Sequence, residues 1–275
     1  MTANPTRRPA RPSQVVRIDR DTDGTVQSLT RAMQLLELLA DDDEGYRLVD
    51  IAAHSGLSSS TAHRLLTTLE QRQFAQFDRD TNLWYVGVRC FSVGAAFGRR
   101  RRITDLALPV MRRLRDSTGE SINLGVADLG DIVFVTQLES REMVRAIGKP
   151  GFRAPLHGTA MGQAILAAMA DEDVQQYLRA YGLPRLTNNT IARASRLHET
   201  LGEVRRAGHA VDDEQNALGL RCIAAAIRDE HGQPFAAISL VGPTQRIKTT
   251  DFAPLGAAVR AAADEITGCY GGRVR

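Results

Sequence analysis

Four polar side chains lie on one face of a helix predicted near residue 60. About 100° of helical rotation per residue places Ser60, His63, Arg64 and Thr67 together, opposite an apolar stripe that begins at Ala62. An Arg side chain can donate two parallel hydrogen bonds to guanine, and Ser, Thr and His can reach base edges or phosphates. These residue types at this spacing predict a helix that enters the major groove of double-stranded DNA.

The surrounding sequence predicts the elements that would hold this helix in place. Residues 48–69 contain two short apolar-periodic segments joined by a turn at Gly56, the pattern of a helix-turn-helix. Any amphipathic surface helix also has a polar face, so an ordinary surface helix remains the alternative. The predicted DNA contacts of the second helix and its start are Ser58, Ser59, Ser60, Thr61, His63, Arg64 and Thr67.

A β-hairpin is predicted directly after these helices. Residues 74–77 and 83–86 are rich in apolar residues, and a polar turn over 78–82 separates them. A hairpin at this point makes the unit a winged helix, and Arg79 and Asn82 at its tip are placed to contact phosphate or the minor groove. The alternative is that the hairpin only covers the helical core.

The first helix of this domain is predicted over residues 26–39. Its apolar face is predicted to contain Leu29, Met33 and Leu36, with Ala32, Leu35 and Leu39 beside them, and an acidic loop follows at residues 41–45. The winged helix-turn-helix is therefore expected over 25–87. Residues 1–24 carry five arginines among prolines and are predicted to be a disordered basic tail, which either follows DNA phosphates or is simply solvated.

A linker helix is predicted between two domains, over residues 88–103. The pattern places it at residues 89–97 and predicts interruptions at Gly94 and Gly98. The arginine run at 99–102 contacts DNA phosphate or is a solvated helix end. Such a connector could transmit a change of orientation.

The second domain is predicted over residues 104–272. It reads as helix, strands, helices, a strand pair and a last helix, which indicates an α+β fold with one mainly antiparallel sheet. The predicted strands are 121–128, 132–138, 143–147, 222–228 and 234–241, and the predicted helices are 104–118, 158–169, 171–181, 195–207 and 252–266.

Composition excludes several classes of protein. The 275 residues are 43% hydrophobic and 24% charged, which is ordinary for a globular chain, and no apolar run is long enough to span a bilayer. We therefore expect a cytoplasmic protein without a membrane partner. The three cysteines are widely separated, which argues against a disulfide framework or a Cys-rich zinc site. No phosphate-binding or metalloprotease motif is present, so no cofactor or metal is predicted.

Two interpretations compete for the polar residues of the second domain. In the first, Cys222 is a nucleophile with His157 or His209 as base and Asp212 as the group that orients it, although no local motif supports this grouping. In the second, residues between strands, over 208–214 and 218–223, line a small cleft for an anion together with Ser239, so that Asp212 and Cys222 belong to its walls. The second interpretation is favoured because buried cysteine is common without catalysis.

The chain resembles the IclR family of bacterial transcriptional regulators from about Val26 to Gly272. Several long motifs occur in the order typical of that family, and together they are highly specific. They are residues 26–31, 60–69, 91–95, 117–121, 155–157, 212–214, 218–225, 235–239 and 242–243.

The resemblance implies a winged helix-turn-helix, a C-terminal GAF-like effector-binding domain and no enzymatic activity. It also implies a homodimer or a dimer of dimers on a palindromic operator, repression of a carbon-metabolism operon and a small carboxylic acid effector. Transcriptional activation remains the alternative. The family's effector pocket corresponds here to Met143, Ala146, Ala154, Ala160, Met161, Asp212, Leu220, Cys222, Ser239 and Val241.

Some of these positions depart from the family's small-acid-binding members. Ala146 and Ala154 replace larger apolar side chains, Met161 is larger than its counterpart, and Val241 replaces a serine. Loss of that hydroxyl removes a hydrogen bond to a carboxylate, and such bonds contribute about 1.5–3 kcal/mol. We therefore expect a keto or hydroxy acid somewhat bulkier than glyoxylate.

Overall fold

The computed structural model describes residues 26–100, 103–140 and 148–272, which divide into two compact units at residue 100. The basic tail predicted over 1–24, the strand predicted over 143–147, and Arg101 and Arg102 of the arginine run lie outside the described residues. Within the described residues, no helix is both long and apolar enough to cross a membrane.

The first unit contains three helices and a hairpin, followed by a fourth helix. The elements are α1 (Gln27–Ala40), α2 (Leu48–Ser55), α3 (Ser59–Gln71), β1 (Ala75–Asp78), β2 (Leu83–Val86) and α4 (Val88–Arg100). The antiparallel strands β1 and β2 form the wing. The predicted helix-turn-helix and hairpin are confirmed.

Local backbone chemistry explains the turn between α2 and α3. Gly56 ends α2 with φ of 67°, a left-handed conformation that glycine adopts without a steric penalty. Ser58 then caps α3 by accepting a hydrogen bond from the backbone N–H of Thr61 at 3.2 Å. The fully buried Leu35, Ile51 and Leu66 join all three helices in one core.

Two details of this unit differ from the sequence prediction. The buried residues of α1 are Leu35 and Leu39, whereas Leu29 is 55% and Met33 49% exposed. The stripe predicted beside the apolar face, with Leu35 and Leu39, is the one that the core buries, because periodicity does not show which of two neighbouring apolar stripes is covered. In addition, α4 runs without interruption through Gly94 and Gly98, because each glycine weakens a helix by only about 1 kcal/mol.

The second unit places helices on both faces of a six-stranded sheet. Its strand order is β5-β4-β3-β8-β7-β6 and every neighbouring pair is antiparallel. The elements are α5 (Ile103–Thr118), β3 (Ser121–Asp128), β4 (Asp131–Leu138), β5 (Arg153–Pro155), a 3-10 turn (Leu156–Gly158), α6 (Ala160–Ala168), α7 (Asp171–Tyr181), α8 (Ala194–Ala207), β6 (Ala210–Asp213), β7 (Leu220–Arg228), β8 (Pro234–Pro243), a 3-10 turn (Thr249–Asp251) and α9 (Phe252–Cys269).

Alternation along the strands gives the sheet two different faces. On one face, residues such as Ile122, Leu124 and Ile238 form a core with α5 and α9. On the other face, Phe134 and Ala237 lie in a second core with α6, α7 and α8. The predicted α+β fold with an antiparallel sheet is confirmed.

The sheet has two edge strands that the sequence did not reveal. Residues 210–213 were interpreted as a connection between strands, but they form β6, and Asp212 pairs with Cys222 on β7. Strand β5 was also missed. Both are three or four residues long, too short for a period of two to be detected.

Gly162 lies where α6 packs closely against the backbone of the preceding 3-10 turn. A Cβ at this position would fall inside the van der Waals radius of the Leu156 carbonyl and Cα, which are backbone atoms that cannot rotate away. We expect Gly162→Ala to lower the free energy of unfolding by about 1–3 kcal/mol. Urea denaturation measures this change.

Gly202 provides the matched control, because it also lies in a helix and its added Cβ would meet only the tip of Arg206 at 3.7 Å. Gly202→Ala should leave stability unchanged or raise it by about 0.5–1 kcal/mol. Equal effects of the two substitutions would contradict tight backbone packing at Gly162.

Candidate DNA-binding face and effector cleft

The polar face of α3 is open to solvent. Ser59, Ser60, His63 and Arg64 are exposed, and Thr67 is half-buried. The predicted residues of the helix therefore share one surface, as a DNA-reading helix requires.

Hydroxyl groups at the start of α3 are hydrogen-bonded to one another. The Ser58 Oγ lies 3.0 Å from the Ser60 Oγ and 2.8 Å from the Thr61 Oγ1, while it also caps the helix. Ser58 thus stabilises the helix end, and the side chains of His63 and Arg64 extend beyond it without described side-chain hydrogen bonds.

An open groove runs beside this face. Its lining residues are Ser28, Thr61, His63, Arg64, Leu65, Thr67 and Thr68. Ser28 and Thr68 were not predicted. Thr68 could have been found from its spacing of four from Arg64, whose carbonyl accepts a hydrogen bond from the Thr68 hydroxyl at 2.9 Å.

The wing is held against α3 by a buried tryptophan. Trp84 of β2 packs edge-on against the His63 ring, with centroids 6.5 Å apart. At the tip, Asp78 accepts a hydrogen bond from the Asp80 backbone N–H at 2.9 Å, and Asn82 has φ of 58°. Arg79 and Asn82 are both exposed at this turn.

A small cleft lies between the sheet and the start of α6 in the second unit. Its volume is about 20 Å³, close to the space that one water molecule needs. The lining residues are Phe134, Thr159, Ala160, Met161, Asp212, Asn216, Ala217, Leu220, Arg221, Cys222 and Val241.

The structure brings six of the ten predicted effector-binding residues into this lining: Ala160, Met161, Asp212, Leu220, Cys222 and Val241. Ala154 and Ser239 are buried but do not line it. Met143 and Ala146 lie outside the described residues.

Four lining residues were missed from the sequence, whereas Arg221 lies within the predicted range 218–223. Phe134 and Thr159 belong to the strand and cap that face the cleft, and Asn216 and Ala217 lie in the loop that follows β6. Only Thr159 carried a local signal, because threonine before an alanine-rich helix is typical of an N-cap.

Asp212 is the ionisable group at the centre of the cleft lining. It is only 4% exposed, and its Oδ1 accepts hydrogen bonds from the backbone N–H groups of Gln215 at 2.6 Å and Asn216 at 3.2 Å. Burial raises the pKa of this carboxyl to about 7, although the two N–H groups favour the charged form. Near neutral pH the group is therefore partly protonated and can donate a hydrogen bond.

Cys222 does not have the properties of a nucleophile. Burial raises the pKa of its thiol, and the nearby Asp212 raises it further, whereas a reactive cysteine needs a lowered pKa. Its register neighbours on the two adjacent strands are Asp212 and Val241. The thiol thus remains a neutral wall of the cleft.

The two histidines considered as bases are bonded to other groups. The ring of the buried His157 lies 2.9 Å from the Tyr177 hydroxyl and 3.0 Å from the Pro184 carbonyl, and burial lowers its pKa. The His209 Nδ1 lies 3.2 Å from the Ala207 carbonyl. The catalytic interpretation of Cys222 has no support in this geometry.

Buried hydrogen bonds fix the loop that holds Asp212. Gln163 of α6 donates to the Gln215 side chain at 2.7 Å and to the His157 carbonyl at 2.8 Å. The hydroxyl of Thr190 donates to the Gln215 carbonyl at 2.7 Å. The Asp212 carboxyl is therefore connected, through Gln215, to α6 and to the long segment before α8.

The one arginine in the cleft lining has partners of its own. Arg221 forms an ion pair with Asp213 at 2.7 Å and donates to the Ile247 carbonyl at 2.8 Å. Its guanidinium also lies over the Phe252 ring. An anion in the cleft would thus meet neutral donors before it met a cation.

Comparison with known proteins identifies both units. A family model described as the IclR helix-turn-helix domain matches residues 28–79, and one described as the C-terminal part of the bacterial transcriptional regulator IclR matches residues 96–268. The family resemblance inferred from sequence motifs is confirmed. Both descriptions concern transcriptional regulators and neither concerns an enzyme.

Individual relatives agree with this result. The transcriptional repressor IclR of Escherichia coli is 39% identical over 251 residues, which cover 90% of this chain and 92% of the relative. The acetate operon repressor of Salmonella typhimurium is 38% identical over the same shares. A crystal structure of an IclR homologue from Microbacterium hydrocarbonoxydans, complexed with 4-hydroxybenzoate, superposes with a TM-score of 0.75 at 26% identity, covering 88% of this chain and 98% of that one.

The raised pKa of Asp212 makes stability depend on pH. Because the folded carboxyl holds its proton up to about pH 7 and the unfolded one releases it near the ordinary pKa of 3.8, unfolding becomes easier as pH rises between these values. Relative to Asp212→Asn, the wild-type protein should lose about 2 kcal/mol of unfolding free energy between pH 5 and 8. Urea denaturation at several pH values measures the difference.

The decisive quantity is the difference in pH slope, which does not depend on any constant stability change in the variant. Parallel pH profiles for the two proteins would show that Asp212 is ionised in the folded state throughout this range.

Proposed function

Because the chain belongs to the IclR family of bacterial transcriptional regulators, we propose that it is a repressor that a small carboxylic acid releases from its operator. In this proposal a homodimer, or a dimer of dimers, presents two α3 helices to the half-sites of a palindromic operator. The operon would serve carbon metabolism, as the relative named for the acetate operon suggests.

The exposed face of α3 supports the DNA-binding part of the proposal. Arg64 and His63 extend from the middle of the face without side-chain hydrogen bonds in the described structure, so they are available to read base edges. Ser59, Ser60 and Thr67 support them, and Arg79 and Asn82 of the wing contact the phosphate backbone or minor groove.

The arrangement around α6 is the observation that carries the effector part. Thr159 caps this helix by accepting from the Gly162 N–H at 3.0 Å, and the first residues of the helix, Ala160 and Met161, line the cleft. Their backbone N–H groups have no partner within the helix, and a helix N-terminus attracts anions. A carboxylate placed here would also meet Asp212, which can donate a hydrogen bond when protonated.

The charges of the lining limit the charge of the ligand. Arg221 is already paired with Asp213, so the described lining offers no uncommitted cation to a second carboxylate. This favours a monocarboxylate over a diacid. The homologue solved with 4-hydroxybenzoate bound a ligand of this class, a carboxylic acid that also carries a hydroxyl.

The walls of the cleft favour an acid larger than glyoxylate. Val241 contributes methyl groups where a serine would donate a hydrogen bond, and the thioether of Met161 is flexible. The closed cleft has room for about one water molecule. A ligand must therefore move these side chains apart, and we propose that this movement is transmitted through α4 and changes the spacing of the two recognition helices.

Arg64 should dominate sequence-specific binding. We expect Arg64→Ala to cost about 1–3 kcal/mol of specific affinity, because the substitution removes a side chain that can donate two hydrogen bonds to guanine. An operator is first selected from random DNA with the wild-type protein. Fluorescence anisotropy then gives the dissociation constants of the wild-type and Arg64→Ala proteins for this operator and for unrelated DNA.

Arg72→Ala is the matched control, because Arg72 is exposed at the end of α3 and carries the same charge. It should lower affinity for operator and unrelated DNA alike, by a small salt-dependent amount. An Arg64→Ala protein that retains the operator preference of the wild type would contradict the assigned role.

Effector binding should depend on the Asp212 proton. A 2-oxo acid such as 2-oxobutyrate, already ionised in this range, should bind more tightly than glyoxylate and lose up to about tenfold in affinity per pH unit above pH 7. The reason is that a protonated Asp212 donates to the ligand, whereas an ionised one repels it. Titration calorimetry at pH 6, 7 and 8 measures both effects, and anisotropy with the operator measures release.

In Asp212→Asn the pH dependence should disappear, because the amide is neutral and keeps a donor. Asp128→Asn, at the exposed end of β3, should preserve the wild-type dependence. Binding that is independent of pH in the wild-type protein, or glyoxylate binding far more tightly than larger acids, would refute this account of the cleft.

A further inference from the structure

A row of buried polar side chains crosses the sheet next to the cleft. Asn123 on β3 pairs with Ser239 on β8 and with Gln137 on β4, so the three residues are neighbours across three strands. Asn123 and Ser239 are fully buried. Within the described structure, the Asn123 amide oxygen and nitrogen and the Gln137 amide nitrogen have no hydrogen-bond partner, and the Ser239 hydroxyl has none besides the Cys222 thiol of the cleft lining.

The row lies on the effector side of the sheet, between two sets of cleft residues. Ser121, two positions before Asn123, pairs with Val241 of the cleft lining. Gly125, two positions after it, pairs with Phe134 of the lining, and a Cβ at Gly125 would lie 3.2 Å from the Met161 Sδ. Residues two apart on a strand point to the same face, so Asn123 and Ser239 share the face of the cleft.

The absence of partners is unusual for groups this deeply buried. Native proteins satisfy most buried donors and acceptors, because an unpaired group loses its hydrogen bonds to water and gains none. Ser121 in the neighbouring row follows this rule, since its Oγ accepts from the Ser140 backbone N–H at 2.9 Å. The three unpaired atoms of Asn123 and Gln137, together with the neighbouring Ser239 hydroxyl, thus form a set that a polar ligand atom would satisfy.

We propose that Asn123 and Gln137, beside the Ser239 position of the family's effector pocket, add a polar subsite to the cleft that binds a hydroxyl or oxo oxygen on the carbon chain of the ligand. This inference rests on the proposed function, which places the carboxylate at the start of α6. The row supplies neutral donors and acceptors and no charged side chain, so it suits a neutral oxygen and not a second carboxylate. The subsite is what distinguishes an oxo or hydroxy acid from a plain fatty acid of equal length.

The subsite also explains why a buried amide is tolerated between two apolar residues in the middle of a buried strand. Asn123 lies between Ile122 and Leu124, both of which are fully buried on the opposite face. Buried groups that are satisfied only by a ligand weaken the free protein and stabilise the complex, a common feature of binding sites. Removing the amide should therefore have opposite effects on stability and on ligand selectivity.

The test compares butyrate with 2-oxobutyrate, 3-hydroxybutyrate and 4-hydroxybutyrate, which share one chain length and differ in the position of the oxygen. Titration calorimetry on the full chain gives each dissociation constant. We expect the wild type to bind at least one oxygenated acid tenfold or more tightly than butyrate. In Asn123→Leu, which keeps the side-chain volume, this preference should fall below threefold while butyrate binds as before.

Thermal unfolding without ligand provides an independent readout. Asn123→Leu should keep or raise the midpoint, because it replaces unpaired polar atoms by apolar ones. Ser239→Ala makes a smaller change in the same row and should lose part of the preference. Thr267→Val is the control: Thr267 is equally buried, but its Oγ1 accepts from the Arg228 backbone N–H at 3.2 Å, so the midpoint should fall and the preference should remain.

Three outcomes would overturn the subsite. Asn123→Leu could retain the wild-type preference, or it could lower the midpoint as Thr267→Val does, which would give the amide a structural role. The wild type could also bind butyrate as tightly as its oxygenated relatives, which would leave the carboxylate site intact. If the wild type binds none of these acids, the proposed effector class fails as well, and the two failures are thereby distinguished.

Discussion

Side-chain alternation in an antiparallel sheet is the constraint on which the second unit depends. Each strand must direct one set of side chains toward α5 and α9 and the other toward α6, α7 and α8. The first set consists mostly of large aliphatic residues, whereas the strand residues of the second set include several alanines. The smaller side chains on the second face leave room for a carboxyl, a thiol, a hydroxyl and an amide. The cleft lies on this second face of the sheet.

The Asp212 carboxyl shows how the fold accommodates a costly group. A carboxylate buried this deeply would be unfavourable if it were ionised without partners, and the backbone N–H groups of Gln215 and Asn216 reduce that cost. These groups lie in a loop whose position depends on Gln163 and Thr190. The protonation state of one side chain is therefore coupled to α6 and to the segment before α8. A ligand that changes the charge at Asp212 acts on a connected set of hydrogen bonds and not on an isolated residue.

Features that depend on residues close together in the sequence could be predicted, whereas features that depend on contacts between distant residues could not. Helix α3 was predicted correctly because its period and its turn at Gly56 are both local. Periodicity could not decide which of two neighbouring stripes of α1 is buried, because Leu29 and Leu35 are equally apolar and only packing in the three-helix core distinguishes them. Strand β6 was missed because it is short and half acidic.

Asn123 and Gln137 were missed because strand register brings them together, and register is a property of the whole sheet. Asp212 and Cys222 were placed in a cleft from the residues themselves, whereas Met161 was placed there only through the family resemblance.

The small volume of the cleft follows from the same difference between the two faces of the sheet. Apolar side chains from α6 and β8 fill the space in front of Asp212 and Cys222, and a volume of about 20 Å³ remains. Such packing favours the free protein through van der Waals contact but leaves polar atoms nearby without partners. A bound ligand has the opposite effects. It separates the apolar side chains, and it gives the polar groups hydrogen-bond partners. The free energy difference between the two arrangements is what a regulator can transmit, because a ligand shifts an equilibrium only by as much as its affinities for the two states differ. On this view the unpaired polar atoms and the buried carboxyl cause the response to the ligand. The aliphatic core on the opposite face of the sheet stabilises the fold that contains them.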